Sequence, residues 1–333
     1  MNIVYYDSGT TNTRAYLFLD GALADSLNMP VGSKDTALSG SKVKLLSTLV
    51  DMLGILCARN HINTEEIGQV WMSGMISSPT GIVEIPHLTI PIDLPALSGN
   101  VTCYYEPLFF KRNLYIIPGV RTNCQGPPSL DNVHELNNMR GEETEVFGIL
   151  QEYPQLADGC IMIMPGSHTQ VVFIRNGAIS NIISTITGEL YSAVRSGTIL
   201  STSLPACKKD VIDDEMLCKG YENLKTFGFN RALYTVRTLE LFMETTPEQR
   251  HSYFEGILNG GVLDVICQVS DPDIYRQIAV YGSEVTLHVF RTLLGNYLPG
   301  YALHEISSDR KIPYSVSGFQ CISSCKNFHS GIY

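Results

Sequence analysis

Near its start the chain reads Asp7-Ser8-Gly9-Thr10-Thr11-Asn12-Thr13-Arg14: an acid, a glycine, hydroxyl and amide residues and a cation between two apolar segments. These are ordinary turn formers, and a plain β-hairpin would account for them. They also suit phosphate chemistry. A tight turn at Gly9 directs successive backbone N–H groups outward, where they can cradle phosphate oxygens without side-chain bulk. Thr10, Thr11 and Asn12 add donors, and Arg14 is placed to meet a phosphate. Asp7 is the natural hard oxygen ligand, direct or through water, for the Mg2+ that travels with a nucleotide. The plainer readings are a turn-capping aspartate and a solvated strand arginine.

The layout recurs about half a chain later. "CIMIMPGSHTQVVFIRNGAI", residues 160–179, repeats "IVYYDSGTTNTRAYLFLDGAL": apolar strand, glycine with hydroxyl neighbours, second apolar strand, then Asp20-Gly21-Ala22 or Asn176-Gly177-Ala178. Two related domains, each opening on a phosphate hairpin, could hold both ends of a triphosphate. Gly166, Ser167 and His168 form the second hairpin, His168 being as readily a structural hydrogen-bonding residue. Between the hairpins, Gly141-Glu142-Glu143-Thr144 opens a helix continued by Val146, Phe147, Ile149 and Leu150. The helix dipole alone favours acids there. Phosphoryl transfer to a hydroxyl also needs one carboxylate that takes the hydroxyl proton, and this position suits it.

Around these residues strands at 2–7, 14–19, 68–72, 114–117, 160–164, 170–174 and 278–281 alternate with helices near 41–59, 142–151, 231–243, 247–268 and 284–295. Such alternation is the mark of an α/β protein. The polar stretch "TNCQGPPSLDN" suits a connecting loop and places a domain boundary near 135, giving domains 1–135 and 136–333.

Several segments carry a family resemblance. Asp7 to Ala15 resembles the first phosphate motif of the sugar kinases in the actin, hexokinase and Hsp70 superfamily. Met139-Arg140-Gly141-Glu142-Glu143-Thr144, Met164-Pro165-Gly166-Ser167-His168 and Thr187-Gly188-Glu189-Leu190, in that order, are similar to the 2-dehydro-3-deoxygalactonokinase family. The likeness continues through "SGMISS" at 73–78, "YIIPGVR" at 115–121, "LYTVRTLELF" at 233–242 and "YFEGILNGGVLDVI" at 253–266.

The resemblance implies two RNase H-like domains of mixed sheets flanked by helices, with ATP in the interdomain cleft. It implies ATP-dependent phosphorylation of the terminal 6-hydroxyl of 2-dehydro-3-deoxy-D-galactonate, in galactonate catabolism. It assigns Glu142 as the base and lines the same site with Glu143 and Arg140, the arginine pairing with either the substrate carboxylate or the γ-phosphate. It puts Ser73, Gly74 and Met75 where the acceptor sits, and Gly282 and Ser283 at the adenosine. The second phosphate motif of the family commonly continues with a cation and an aromatic, whereas this chain has Thr169-Gln170-Val171-Val172. Two alternatives therefore stay open: a kinase for another sugar or sugar acid, and a non-catalytic nucleotide- or sugar-acid-binding sensor.

Composition narrows the partners. A net charge of −10 argues against nucleic acid or an anionic membrane, and no apolar run approaches a membrane span. Nine irregularly spaced cysteines read as reduced thiols, and Cys321 with Cys325 lacks the second pair that zinc would need. A cytoplasmic protein with a small-molecule substrate is expected, and a homo-oligomer is left open.

Overall fold

The computed structural model describes residues 1–208, 210–325 and 331–332. The first part of the chain forms β1 (Asn2–Ser8), β2 (Thr13–Leu19), β3 (Ala22–Met29), α1 (Ser33–Ser39), α2 (Val43–Arg59), β4 (Ile67–Gly74), β5 (Leu88–Thr89) and α3 (Leu94–Gly99). Next come β6 (Thr102–Glu106), β7 (Arg112–Ile116), β8 (Val120–Arg121), β9 (Asn138–Met139) and α4 (Glu142–Glu152). The later part forms β10 (Cys160–Met164), β11 (Thr169–Arg175), β12 (Ala178–Thr185), α5 (Gly188–Gly197), α6 (Asp214–Phe227), α7 (Phe229–Phe242) and α8 (Pro247–Val269). It ends with β13 (Gln277–Gly282), α9 (Glu284–Tyr297), β14 (Ala302–Ser307), α10 (Tyr314–Ser324) and β15 (Gly331–Ile332).

The chain divides into two compact units. Unit 1 holds Met1–Gln155, Gly177–Ser180 and Ile312–Tyr333, and unit 2 holds Leu156–Asn176 and Asn181–Lys311. This differs from a cut near 135, because α4 and α10 both pack in unit 1. Their crossing explains why. A side chain at Gly148 would start 2.1 Å from the Tyr314 carbonyl oxygen, and one at Gly318 would start 1.8 Å from that of Thr144. The two helices meet backbone to backbone, so α10 belongs with α4.

In unit 1 the sheet order is β15-β6-β7-β4-β1-β2-β3, with β1, β4 and β7 parallel and β1-β2-β3 antiparallel. Alternation along the strands decides which face each residue takes. Val4 and Tyr6 of β1 and Val70 and Met72 of β4 join the apolar face of α2 in one core. Tyr5 and Trp71 point the other way and meet Phe319 of α10, with ring centroids 4.5 Å and 5.6 Å apart. Asp7 lies two residues beyond Tyr5 and so falls on the α10 face.

In unit 2 the order is β12-β11-β10-β13-β14. Its first strands repeat those of unit 1: β10 pairs antiparallel with β11 and parallel with β13, as β1 does with β2 and β4. Even the distal turns match. Asp20 and Gly21 have φ 49° and 85°, Asn176 and Gly177 have φ 52° and 72°, the paired positive angles of a type I′ hairpin. The α/β fold of two RNase H-like halves is thus present. In the described residues no helix is long and apolar enough to cross a membrane.

Candidate active site

The first hairpin is tied down from within. Ser8 Oγ lies 2.9 Å from Thr13 Oγ1, and Thr13 donates to the Val31 carbonyl at 2.8 Å. The Gly9 amide donates to the Asn12 carbonyl at 2.8 Å, so this N–H closes the turn and is spent there instead of facing outward. Helix α1 then docks on the turn: Ser33 N and Lys34 N donate to the carbonyls of Gly9 and Thr10 at 3.2 Å and 2.9 Å. A Cβ at Gly32 would lie 2.5 Å from both oxygens, which reserves that position for glycine. Thr11, Asn12 and Arg14 are exposed, and Thr10 is half-buried.

Unit 2 uses the same device. Glu189 N donates to the Ser167 carbonyl at 2.9 Å, and a Cβ at Gly188 would stand 2.3 Å from the Gly166 oxygen. Thr169 and Thr187 link hydroxyls at 2.6 Å, as Ser8 and Thr13 do. Gly166, Ser167 and His168 are exposed, with His168 Nε2 3.8 Å from the Glu189 carboxylate.

Unit 1 also gathers three acids. Asp7 Oδ2 lies 3.8 Å from Arg14 Nη1. Burial raises its pKa, while Arg14 and the nearby Ser315 hydroxyl pull it down. Gly141, at φ 112°, turns the chain into α4, a conformation that favours glycine, and a Cβ there would stand only 3.3 Å from Gly74 Cα. Glu142 follows. Its Oε2 is shielded from solvent and has no hydrogen-bond partner. Burial, reinforced by the Asp7 charge, raises its pKa to about 7. Glu145, one turn further along α4, feels both Asp7 and Glu142, and burial with those charges raises its pKa too. The sequence reading passed over Glu145; its i+3 spacing from Glu142 was the available signal.

Glu143 takes a different role. It is fully buried, and both carboxylate oxygens accept from the Gly141 amide at 2.9 Å and 2.8 Å. Burial and the Glu142 charge raise its pKa to about 8. It shapes the helix start. Arg140 is likewise committed: Nη1 donates to the Ser77 carbonyl and hydroxyl at 2.8 Å and 2.7 Å, and Nη2 to the Ile85 carbonyl at 2.9 Å. Its Nη2 also lies 3.3 Å from His87 Nδ1. His87, missed by the sequence reading, is pushed down to about 4 by burial and by Arg140 and Arg121. Arg140 thereby brackets the 77–87 loop.

Of the three expected acceptor residues, Ser73 is fully buried with its hydroxyl 2.6 Å from Tyr5 Oη. Gly74 is buried at φ 82°, where a Cβ would meet the Ser8 carbonyl oxygen at 2.5 Å. Met75 alone keeps accessible surface. The β4 end is therefore a shaped floor.

A cavity of about 180 Å³ opens in unit 2. Gly166, Thr187 and Gly188 form one side, Tyr191 and Glu255 another, and Val285 and Thr286 of α9 a third. The turn read as Gly282-Ser283 sits just before that third wall. Ser283 caps α9, its Oγ accepting from Thr286 N at 3.4 Å.

For a bound cation the available ligands are oxygens: the Asp7 carboxylate, the unpartnered Glu142 Oε2 and the buried Ser315 hydroxyl beside Asp7. Among the described residues no group of three or more acidic, histidine or cysteine side chains could hold a metal by itself. The Asp7 and Glu142 oxygens are hard donors of the kind Mg2+ takes.

Comparison with known proteins gives the family. Residues 7–308 match the model of the 2-keto-3-deoxy-galactonokinase family. The chain is 27% identical over 255 residues to the 2-dehydro-3-deoxygalactonokinase of Escherichia coli (strain K12), covering 76% of each. It is 25% identical over 315 residues to a Rhizobium meliloti (strain 1021) protein proposed to be that kinase, covering 93% of this chain and 94% of the other. A crystal structure from Sinorhizobium meliloti, of a protein proposed to have the same activity, superposes with a TM-score of 0.74 at 21% identity, over 97% of both chains. With most of its length matched and its fold shared, the chain is a member of the 2-keto-3-deoxy-galactonokinase family.

Proposed function

We propose that the chain transfers the γ-phosphoryl group of Mg2+-ATP to the terminal 6-hydroxyl of 2-dehydro-3-deoxy-D-galactonate, a step of galactonate catabolism. Membership of the kinase family supports the reaction class and the sugar-acid acceptor. The observation that carries the mechanism is the Glu142 carboxylate, whose Oε2 is buried without a partner and whose pKa is raised to about 7. A base is most effective when its pKa lies near the working pH.

In this reading Glu142 takes the proton of the acceptor hydroxyl as its oxygen bonds to the γ-phosphorus and the bond to the leaving ADP oxygen breaks. Arg14 meets the phosphoryl charge, and Thr10, Thr11 and Asn12 contribute donors at the exposed hairpin tip. Asp7 is the residue of unit 1 that would hold Mg2+, which supplies charge neutralisation on the phosphate oxygens when bound. Gly166, Ser167 and His168 contact phosphate in unit 2, with the adjoining cavity taking the nucleoside. Ser73, Gly74, Arg140 and Glu143 act one step back, holding the β4 end, the 77–87 loop and the start of α4 in shape.

The test is ADP release with Mg2+-ATP across a panel of 2-keto-3-deoxy sugar acids and ordinary hexoses, with Glu142→Gln in parallel. Turnover on 2-dehydro-3-deoxygalactonate that falls about a hundredfold or more in the variant is expected. Equal rates in both proteins would remove Glu142 as the base. Turnover confined to another acceptor would replace the substrate, and ATP binding without turnover on any acceptor would favour a sensor.

A further inference from the structure

Arg121 ends the segment "YIIPGVR", and nothing in the phosphoryl transfer uses it. It stands on β8, the middle strand of the three-stranded sheet β5-β8-β9 in unit 1. Register decides which residues share a face there. Thr89 aligns with Arg121 and Arg121 with Asn138, while Leu88, Val120 and Met139 align beside them. Val120 and Met139 are buried, whereas Thr89, Arg121 and Asn138 are exposed. The sheet therefore turns an apolar face inward and a polar one outward.

Two residues before Arg121, Gly119 leaves the middle strand bare. A Cβ at Gly119 would stand 2.5 Å from Arg140 Cγ and 3.0 Å from His87 Cδ2, so glycine lets the guanidinium stem and the imidazole come together there. The outcome is two short rows, His87, Gly119 and Arg140, then Thr89, Arg121 and Asn138. The two arginines differ in what they can still offer. Arg140 spends Nη1 on Ser77 and Nη2 on the Ile85 carbonyl. The exposed Arg121 side chain makes no hydrogen bond and no ion pair among the described residues. Its charge is nonetheless felt locally, since it joins burial and Arg140 in pushing the His87 pKa down to about 4.

A guanidinium with its donors unspent is a fork for a carboxylate. Its place suits an acceptor with a charge at one end and a reacting hydroxyl at the other. β9 runs directly into Arg140, Gly141 and Glu142, so Asn138, the register partner of Arg121, lies at most about 14 Å of chain from Glu142. We propose that Arg121 binds the carboxylate of the sugar-acid acceptor as a bidentate pair, with Thr89 and Asn138 at its sides, and so selects acids over uncharged sugars of the same length. The inference rests on the acceptor being a sugar acid.

Steady-state kinetics with Mg2+-ATP test this on 2-dehydro-3-deoxygalactonate and its uncharged C1 amide, with the wild type, Arg121→Gln and Arg121→Lys. The wild type should show a KM for the acid about ten- to a hundredfold below that for the amide, the scale of a hydrogen-bonded charge pair. Arg121→Gln should raise the acid KM by that factor, with a smaller effect on kcat, and bring the acid-to-amide ratio close to one. Arg121→Lys, which keeps the charge without the fork, should fall between the two. An acid KM unchanged in Arg121→Gln, or a rise shared equally by acid and amide, overturns the proposal. So does a rise in the KM for ATP with the acid KM intact, which would assign the arginine to phosphate. A wild type that phosphorylates only uncharged sugars takes down the sugar-acid reading and this proposal with it, a result distinct from acid turnover that Arg121→Gln leaves untouched.

Discussion

At the scale of the residue, Glu142 is a compromise between chemistry and stability. Its ordinary carboxyl pKa of 4.5 is raised to about 7 in the folded chain. Below 4.5 both folded and unfolded chains hold the proton, and the contribution to stability is complete. As pH climbs from there towards 7 the unfolded chain sheds a proton that the folded chain keeps, so stability falls, and above about 7 the loss is full. Glu142→Gln should therefore raise the unfolding free energy by about 1–3 kcal/mol at pH 8 and change little near pH 4, read by thermal melts at the two pH values. Activity should run the opposite way. With Glu142 as the base, wild-type kcat should rise through an acid limb centred near 7, and a flat profile between pH 5.5 and 8 would argue against that role.

At the scale of the element, the crossing of α4 and α10 is the contact with least slack. Gly318→Ala places a methyl 1.8 Å from the Thr144 carbonyl oxygen, so the helices must separate. A loss of about 1–3 kcal/mol is expected from overpacking, measured as a lower urea midpoint by circular dichroism, together with reduced activity because α4 carries Glu142. A variant as stable and active as the wild type would mean that the crossing adapts. The strands and helices read from sequence are all present, because each carries a clear apolar period of its own. Among the elements passed over are the longer β3, β6, β12, β14, α5, α6 and α10 and the short α1, α3, β5, β8, β9 and β15; β3 alternates half-buried and exposed residues along its whole length and so has no buried apolar run to announce it. The site divides in the same way. Asp7, Arg14 and Glu142 stand in motifs and so are candidates from the sequence alone, whereas His87, Glu145, Glu255 and Ser315 become candidates only through what the fold sets beside them. Glu143, Ser73 and Arg140 illustrate the converse, polar types near a motif whose side chains the fold engages in hydrogen bonds of its own.

At the scale of the whole molecule, the same hairpin-and-docking-helix device occurs once per unit, with Gly32 and Gly188 as the residues that let each helix close on its turn. A net charge of −10 makes the attraction of a polyanion a local matter for these turns and for Arg14. Mg2+-ATP at a hundredfold over its dissociation constant should then stabilise the protein by about 2.7 kcal/mol, seen as a higher melting temperature. Amide hydrogen exchange should slow at 165–169, 187–191 and 255–259 in unit 2. Protection by AMP equal to that by ATP would show that the phosphate turns contribute nothing to binding.

The aromatic stack of unit 1 gives the protein an internal reporter. Trp71 is the single tryptophan of the chain, fully buried, with Tyr115 at 5.2 Å and Phe319 at 5.6 Å. Excited at its red edge, the protein emits from unit 1 alone, and every nanometre of spectral displacement records solvent reaching the face that holds α10. Unit 2 is dark in that channel. The loss of unit 1 can thus be timed by itself, without a label.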